Sequence, residues 1–210
     1  MESAQPVNAV TERVTIPVLG GIENWKDQLK FMLQALDNQP GRLRTRWGPW
    51  TEDQQKLELI TGWINVEACE TWKKSKEFAD AMARFAPVLG GEPSSYLLQF
   101  RPFAPQAVIN SRIVEMLSFE ECREPEDKMR DMVGIAAQMP GCNGVASGYS
   151  LQRSPGTGCS GDAGRTFVAA IGWEGLEASR QANKSAYMGG MKTECHHVDF
   201  NFPVKGCGGL

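Results

Sequence analysis

Histidine is nearly absent from this 210-residue chain: only His196 and His197 occur, side by side. Imidazole chemistry within one subunit therefore has a single place to occur. No apolar run approaches the roughly 18 residues that a membrane span requires, and Met1–Asn8 is polar and carries no hydrophobic signal core. The expectation is a cytoplasmic protein that engages no membrane. Basic excess is missing too, since 22 Lys and Arg stand against 25 Asp and Glu. That balance cannot neutralise a run of phosphates, which argues against nucleic acid as a partner.

The six cysteines (Cys69, Cys122, Cys142, Cys159, Cys195 and Cys207) form no C-x-x-C pair. Without a targeting signal they read as thiols in a reducing compartment. A zinc site from Cys195, His196 and His197 fails on geometry, because neighbours on a strand point to opposite faces. No G-x-S-x-G elbow, P-loop or dinucleotide fingerprint is present, and Gly156-Thr157-Gly158 opens no recognisable helix. Neither a metal nor any other cofactor is expected.

What the chain does contain is a second copy of itself. Gln39-Pro40-Gly41 matches Met139-Pro140-Gly141, and Gly48 matches Gly148, at an offset of 100 residues. Leu29, Met32, Leu33 and Leu36 fall opposite Met129, Met132, Val133 and Ala136, and Val14 and Ile16 opposite Val114 and Met116, at the same offset. Further on, Gly62-Trp63 matches Gly172-Trp173 and Ser75 matches Ser185 at an offset of 110. The extra residues belong in the turn-forming stretch from Ser154 to Gly164, read as a surface loop of the second copy.

Each copy reads as β-α-β-β-α-β. The first strands are Arg13–Leu19 and Ile109–Phe119, rich in β-branched and apolar residues. Helices follow, one carrying Trp25, Leu29, Met32, Leu33 and Leu36 at helical spacing after a capping Asn24, the other starting at Pro125; Pro-Gly stops both. Two strands come next (Arg42–Trp50 with Gln55–Asn65, and Gly144–Gln152 with Thr166–Gly175). The second helices are Val66–Arg84 and Glu177–Tyr187, and the last strands Ser95–Phe103 and Glu194–Val204. The predicted fold class is α+β, with tandem ferredoxin-like repeats over 10–104 and 105–205 and a tail over 206–210. Two such units can cover each other's open sheet faces and enclose a barrel with room for side chains or one small ligand.

On these residues the halves resemble the dimeric α/β-barrel superfamily, in its antibiotic-biosynthesis monooxygenase-like branch, fused in tandem. The likeness rests on Pro40-Gly41, on Trp63-x5-Cys69-x5-Ser75-x2-Phe78, and on its mirror Trp173-x5-Ser179-x5-Ser185-x-Tyr187. The resemblance implies one of several activities: cofactor-independent oxygenation of aromatic polyketides, polyketide cyclisation or haem degradation. Haem-degrading relatives carry a histidine six residues after the tryptophan. Cys69 and Ser179 stand there instead, which disfavours haem as a ligand. The tandem implies a monomeric pseudo-dimer or a homodimer.

The candidate catalytic residues are His197, His196, Asp199 and Tyr149. By alternation His197 and Asp199 share one strand face, and His196 shares the other with Val198 and Phe200. If the polar face lines the pocket, Asp199 would orient His197; if the apolar face does, His196 is a lone base. Tyr149 would donate or relay a proton. Trp63 and Trp173 are candidates to stack on a flat substrate, and Arg44 and Arg46 to hold its carboxylate or enolate. Cys69, near Glu67 and Glu70, is no activated thiolate. The expected function is cofactor-independent acid-base catalysis on a hydrophobic aromatic or polyketide-type intermediate, giving cyclisation, elimination or rearrangement. The alternatives are a cofactor-free monooxygenase and a non-catalytic small-molecule-binding or stress-response barrel.

Overall fold

Alternating apolar residues organise the first copy. In the computed structural model, which describes residues 7–103, 105–153 and 164–201, β1 (Val10–Pro17) pairs antiparallel with β3 (Lys56–Trp63). On the other side of β3 lies β2 (Arg42–Pro49), also antiparallel. Helix α1 (Ile22–Asp37) joins β1 to β2 and buries Trp25, Leu29, Met32, Leu33 and Leu36, the stripe that its spacing predicts. Its N-cap is Gly21 rather than Asn24, which lies inside the first turn.

The second helical segment departs from expectation by breaking in two, α2 (Val66–Lys73) and α3 (Lys76–Phe85). Ser75 causes the break: its backbone is extended and its hydroxyl accepts the Phe78 amide, so a new helix starts there. The strand expected to close the first copy, β4 (Ser94–Leu98), is shorter than the Ser95–Phe103 of the sequence reading.

The chain divides into two compact units. The first runs to Ser95 and takes in Asn201; the second is Tyr96–Phe200. The expected division at 104/105 thus falls inside the second unit, where Leu98 pairs with Ser150. A short helix α4 (Gln106–Ile109) precedes β5 (Ile113–Cys122), so the strand predicted from Ile109 starts later. Helix α5 (Glu126–Gly134), β6 (Cys142–Arg153) and β7 (Arg165–Trp173) follow, then the broken pair α6 (Leu176–Gln181) and α7 (Lys184–Met188), and β8 (Glu194–Val198). Within this unit the sheet order is β4-β6-β7-β5-β8, with β6–β7, β7–β5 and β5–β8 antiparallel. All of the expected loop Ser154–Gly164 except Gly164, the tail over 206–210 and the end of the last strand lie outside the described residues.

The duplication is visible in backbone geometry. Gly41 and Gly141 adopt φ of +79° and +78°, and a Cβ on either would sit 2.8 Å from the methyl carbon of Ala68 or Ala178. Their carbonyls accept equivalent amides, Ile64 and Glu174, both at 2.9 Å. The first strands, however, align differently from the sequence reading. Val10 pairs with Trp63 and Ile113 pairs with Trp173, so Val10 corresponds to Ile113 and Val14 to Leu117, an offset of 103 rather than 100.

Gly141→Ala is expected to destabilise the protein by about 1–3 kcal/mol, because a non-glycine residue is strained at positive φ and its methyl would meet Ala178. Gly134→Ala, at φ −60° and with nothing within 4 Å, is expected to stabilise by about 0.4–1 kcal/mol. Urea midpoints at unchanged slope measure both, and equal signs would refute the argument.

Candidate functional site

On β1, Glu12, Val14 and Ile16 face the helices, and their cross-strand neighbours on β3 are Thr61, Leu59 and Leu57. Helix α1 brings Met32 and Leu36 over this surface, and the α2–α3 break lets Trp72 and Phe78 meet edge to face at 5.3 Å. Between sheet and helices lies a cavity of about 220 Å³, and Met82 and the segment at Glu92 complete its wall. The wall is mostly apolar, with polar groups at Glu12, Thr61, Lys73, Ser95 and Glu92.

Glu12 is 3% exposed. A buried carboxylate must be paired, and two elements supply the partners. The Trp63 indole at the end of β3 donates to Oε2 at 3.2 Å, and the Lys73 ammonium on α2 lies 2.9 Å from Oε1. Lys73 also donates to Ser95 Oγ at 2.8 Å. With three N–H bonds on an ammonium, one remains for a ligand in the cavity. Cys69 lies beside this pair, and burial followed by the Glu12 charge pushes its thiol up to about 12. The expected inert thiol is thus found, though Glu67 is not among the causes.

The second unit carries a counterpart. Glu115, fully buried on β5, receives the Trp173 indole at 3.0 Å, the Tyr187 hydroxyl at 3.1 Å and the Cys195 thiol at 3.2 Å, and is ion-paired with Lys184. Burial alone would raise this carboxyl. Hydrogen bonding and charge from Lys184, with smaller help from Cys195 and His197, hold it below its ordinary value. Glu115 occupies the place of Glu12, three residues after the offset that the Pro-Gly turns suggest.

None of the catalytic or substrate-binding candidates from the sequence lines the cavity. His197 and His196 both lie on β8 and are buried, and they take opposite faces, since His197 is opposite Glu115 and His196 opposite Met116. His197 turns to the helices, where its Nε2 is 2.8 Å from Ser179 Oγ. The ring of His196 lies 3.6 Å from Glu194 through Nδ1. Asp199 follows the end of β8 and is half-buried. Tyr149 is packed on Phe167 at 5.0 Å and bonds through its hydroxyl to the Glu124 carbonyl at 2.6 Å. Burial and the neighbouring Cys122 raise this phenol well above its usual range.

Trp63 and Trp173 are both fully buried and spend their N–H groups on the two carboxylates. Arg44 and Arg46 are half-buried on β2, on the face away from Thr45, and burial and then Arg44 lower the Arg46 guanidinium. The sequence reading passed over Glu12, Glu115 and Lys73. The detectable signal was an acid at the third position of each first strand, Val-Thr-Glu and Ile-Val-Glu, once those strands are aligned by their tryptophans.

Because Glu115 titrates lower when folded, it contributes stability that is complete above its unfolded value near 4.5 and drains as pH falls through the folded one. Thermal unfolding midpoints should therefore drop below about pH 4.5. Glu115→Gln should weaken that dependence, and an unchanged profile in the variant would exclude the carboxylate as its source.

No protein-family model matches the sequence, and no curated protein matches it. Solved structures do. An anthrone oxidase-like protein shares 13% identity at a TM-score of 0.68, over 91% of this chain and 90% of that one. A candidate monooxygenase from Fusobacterium nucleatum subsp. nucleatum shares 12% identity at 0.61, over 97% of this chain and 96% of that one. Another from Lactobacillus acidophilus shares 12% at 0.55, over 91% and 93%. Among the described residues, no helix is long and apolar enough to cross a membrane. The chain has the fold of these proteins: α+β, two ferredoxin-like units in series.

Proposed function

We propose that this chain is a cofactor-independent enzyme that deprotonates a small aromatic phenol or enol in the cavity of its first unit and presents the resulting anion to dioxygen. The observation that carries this reading is the Glu12–Lys73 ion pair set into a mostly apolar wall. Glu12 would take the proton as general base, and Lys73 would hold the oxyanion by a charge-assisted hydrogen bond. Apolar surroundings favour this division of labour, because a charge pair is worth more where water is excluded. Oxygenation of such an anion needs no cofactor: an anthrone methylene and O2 give a quinone carbonyl and water. The neighbours described as anthrone oxidase-like and as candidate monooxygenases support oxygenation over cyclisation or rearrangement, which use the same proton removal.

The site differs from the one expected on β8. His197, bonded to Ser179, and His196 on the opposite face are the competing bases, and both lie in the second unit.

Oxygen uptake with anthrone, corrected for the spontaneous reaction, tests this directly. Glu12→Gln and Lys73→Met are each expected to lower turnover by about 10²-fold or more, the range for loss of a general base or an oxyanion donor. Turnover retained in both variants but lost in His197→Ala or His196→Ala would move the chemistry to β8. Proton exchange without oxygen uptake would leave the base and remove the oxygenase.

A further inference from the structure

The two units carry the same framework but different walls. Cross-strand register aligns them position by position: Ile16 faces Leu57 in the first, and Phe119 faces Phe167 in the second. On the next strand Pro49 faces Leu57 where Tyr149 faces Phe167. Three aliphatic positions at one end of the first sheet thus correspond to three aromatic ones. These rings pack on one another, Phe119 and Phe167 at 6.1 Å and Tyr149 and Phe167 at 5.0 Å. At the other end Glu12 faces Thr61, whereas Glu115 faces Ile171, and Tyr187 enters the same core and bonds Glu115.

We infer that the duplicated halves have divided their roles. The first binds one planar, apolar ligand of two or three fused rings bearing a single hydroxyl or oxyanion; the second keeps the layer filled with its own rings and binds none. This rests on the cavity being a ligand site, as proposed above, and not on the reaction performed there. The size limit follows from the 220 Å³ of the cavity, below the roughly 300–1,000 Å³ of pockets for drug-sized ligands. The polar end follows from Glu12, Thr61, Lys73 and Ser95 lying together, the rest of the wall apart from Glu92 being apolar. In the second half the Glu115 carboxylate already has its partners in Trp173, Lys184, Tyr187 and Cys195. A ligand there would have to displace a buried phenol and an aromatic cluster.

The test is a titration of the full chain with 2-naphthol, by equilibrium dialysis and by quenching of its fluorescence, before any assay of turnover. One molecule per chain is expected. Ile16→Phe with Thr61→Ile, which gives the first unit two residues of the second, should abolish binding while leaving the circular dichroism spectrum and the unfolding midpoint near those of the parent. The reverse exchange, Phe119→Ile with Phe167→Leu, should leave the first site intact and raise the stoichiometry toward two in chains that remain folded. Two molecules bound to the parent chain, or undiminished binding after Ile16→Phe with Thr61→Ile, would overturn the division of roles while leaving the enzymatic reading in place. Absence of binding to the parent would overturn the ligand site itself, and the enzymatic reading with it.

Discussion

A carboxylate buried under the helix layer is the constraint around which each unit is arranged. Desolvating a carboxylate costs several kcal/mol unless charges and hydrogen bonds are waiting for it, so Glu12 and Glu115 dictate what surrounds them. Each receives the indole N–H of the tryptophan that ends the third strand of its copy. Each also receives a lysine from the helices, Lys73 on α2 or Lys184 on α7. The lysines are not sequence equivalents. Two different helical residues solving one electrostatic problem show that the demand comes from the carboxylate, and that the helices are placed to meet it.

How completely the demand is met separates the halves. Around Glu115 the donors are numerous and the neighbouring rings close the layer, which favours a rigid, filled structure. Around Glu12 the donors are fewer, Lys73 is shared with Ser95 and about a third exposed, and the wall beside it stands back to leave a cavity. Stability and binding are opposed uses of one arrangement. A site needs a polar group not fully consumed by its own protein, and a duplicated framework lets one copy remain unfilled while the other is packed.

The architecture was legible because it is written in repeated positions. Pro-Gly pairs, the α1 stripe and the two Gly-Trp dipeptides each recur, and the sheet and helix order follow from their periodicity. What escaped was set by tertiary context. Ser75 and Asn183 begin new helices inside segments that read as continuous, since a cap is indistinguishable from a solvated helix residue until the chain turns there. The proposed site escaped for a related reason. Histidines invite chemical interpretation by scarcity, whereas Glu12 looks like an ordinary exposed strand residue, and its burial depends on Trp63 and Lys73, which are distant in sequence. A misalignment of three residues in the first strand hid the one comparison that would have exposed it.

The opposite sheet face shows why the Glu12 position is special rather than merely inherited. There Arg13 binds Glu58 through two bonds, at 2.8 and 3.1 Å, and Trp50 donates to the same carboxylate at 3.0 Å. By register the second copy has Met116, Val168 and Ser150 at these places. Both charges are gone together, the exchange that buried ion pairs tolerate, since a matched pair and an apolar pair differ little in free energy while a single survivor is costly. The Glu–Trp pair facing the helices did not follow that route, although it was open on the same terms. Glu115 and Trp173 remain even where the layer is filled. The carboxylate is therefore a structural pin for the helices first, and in the first copy, where one ammonium proton is left over, the same pin becomes a group that can meet a ligand.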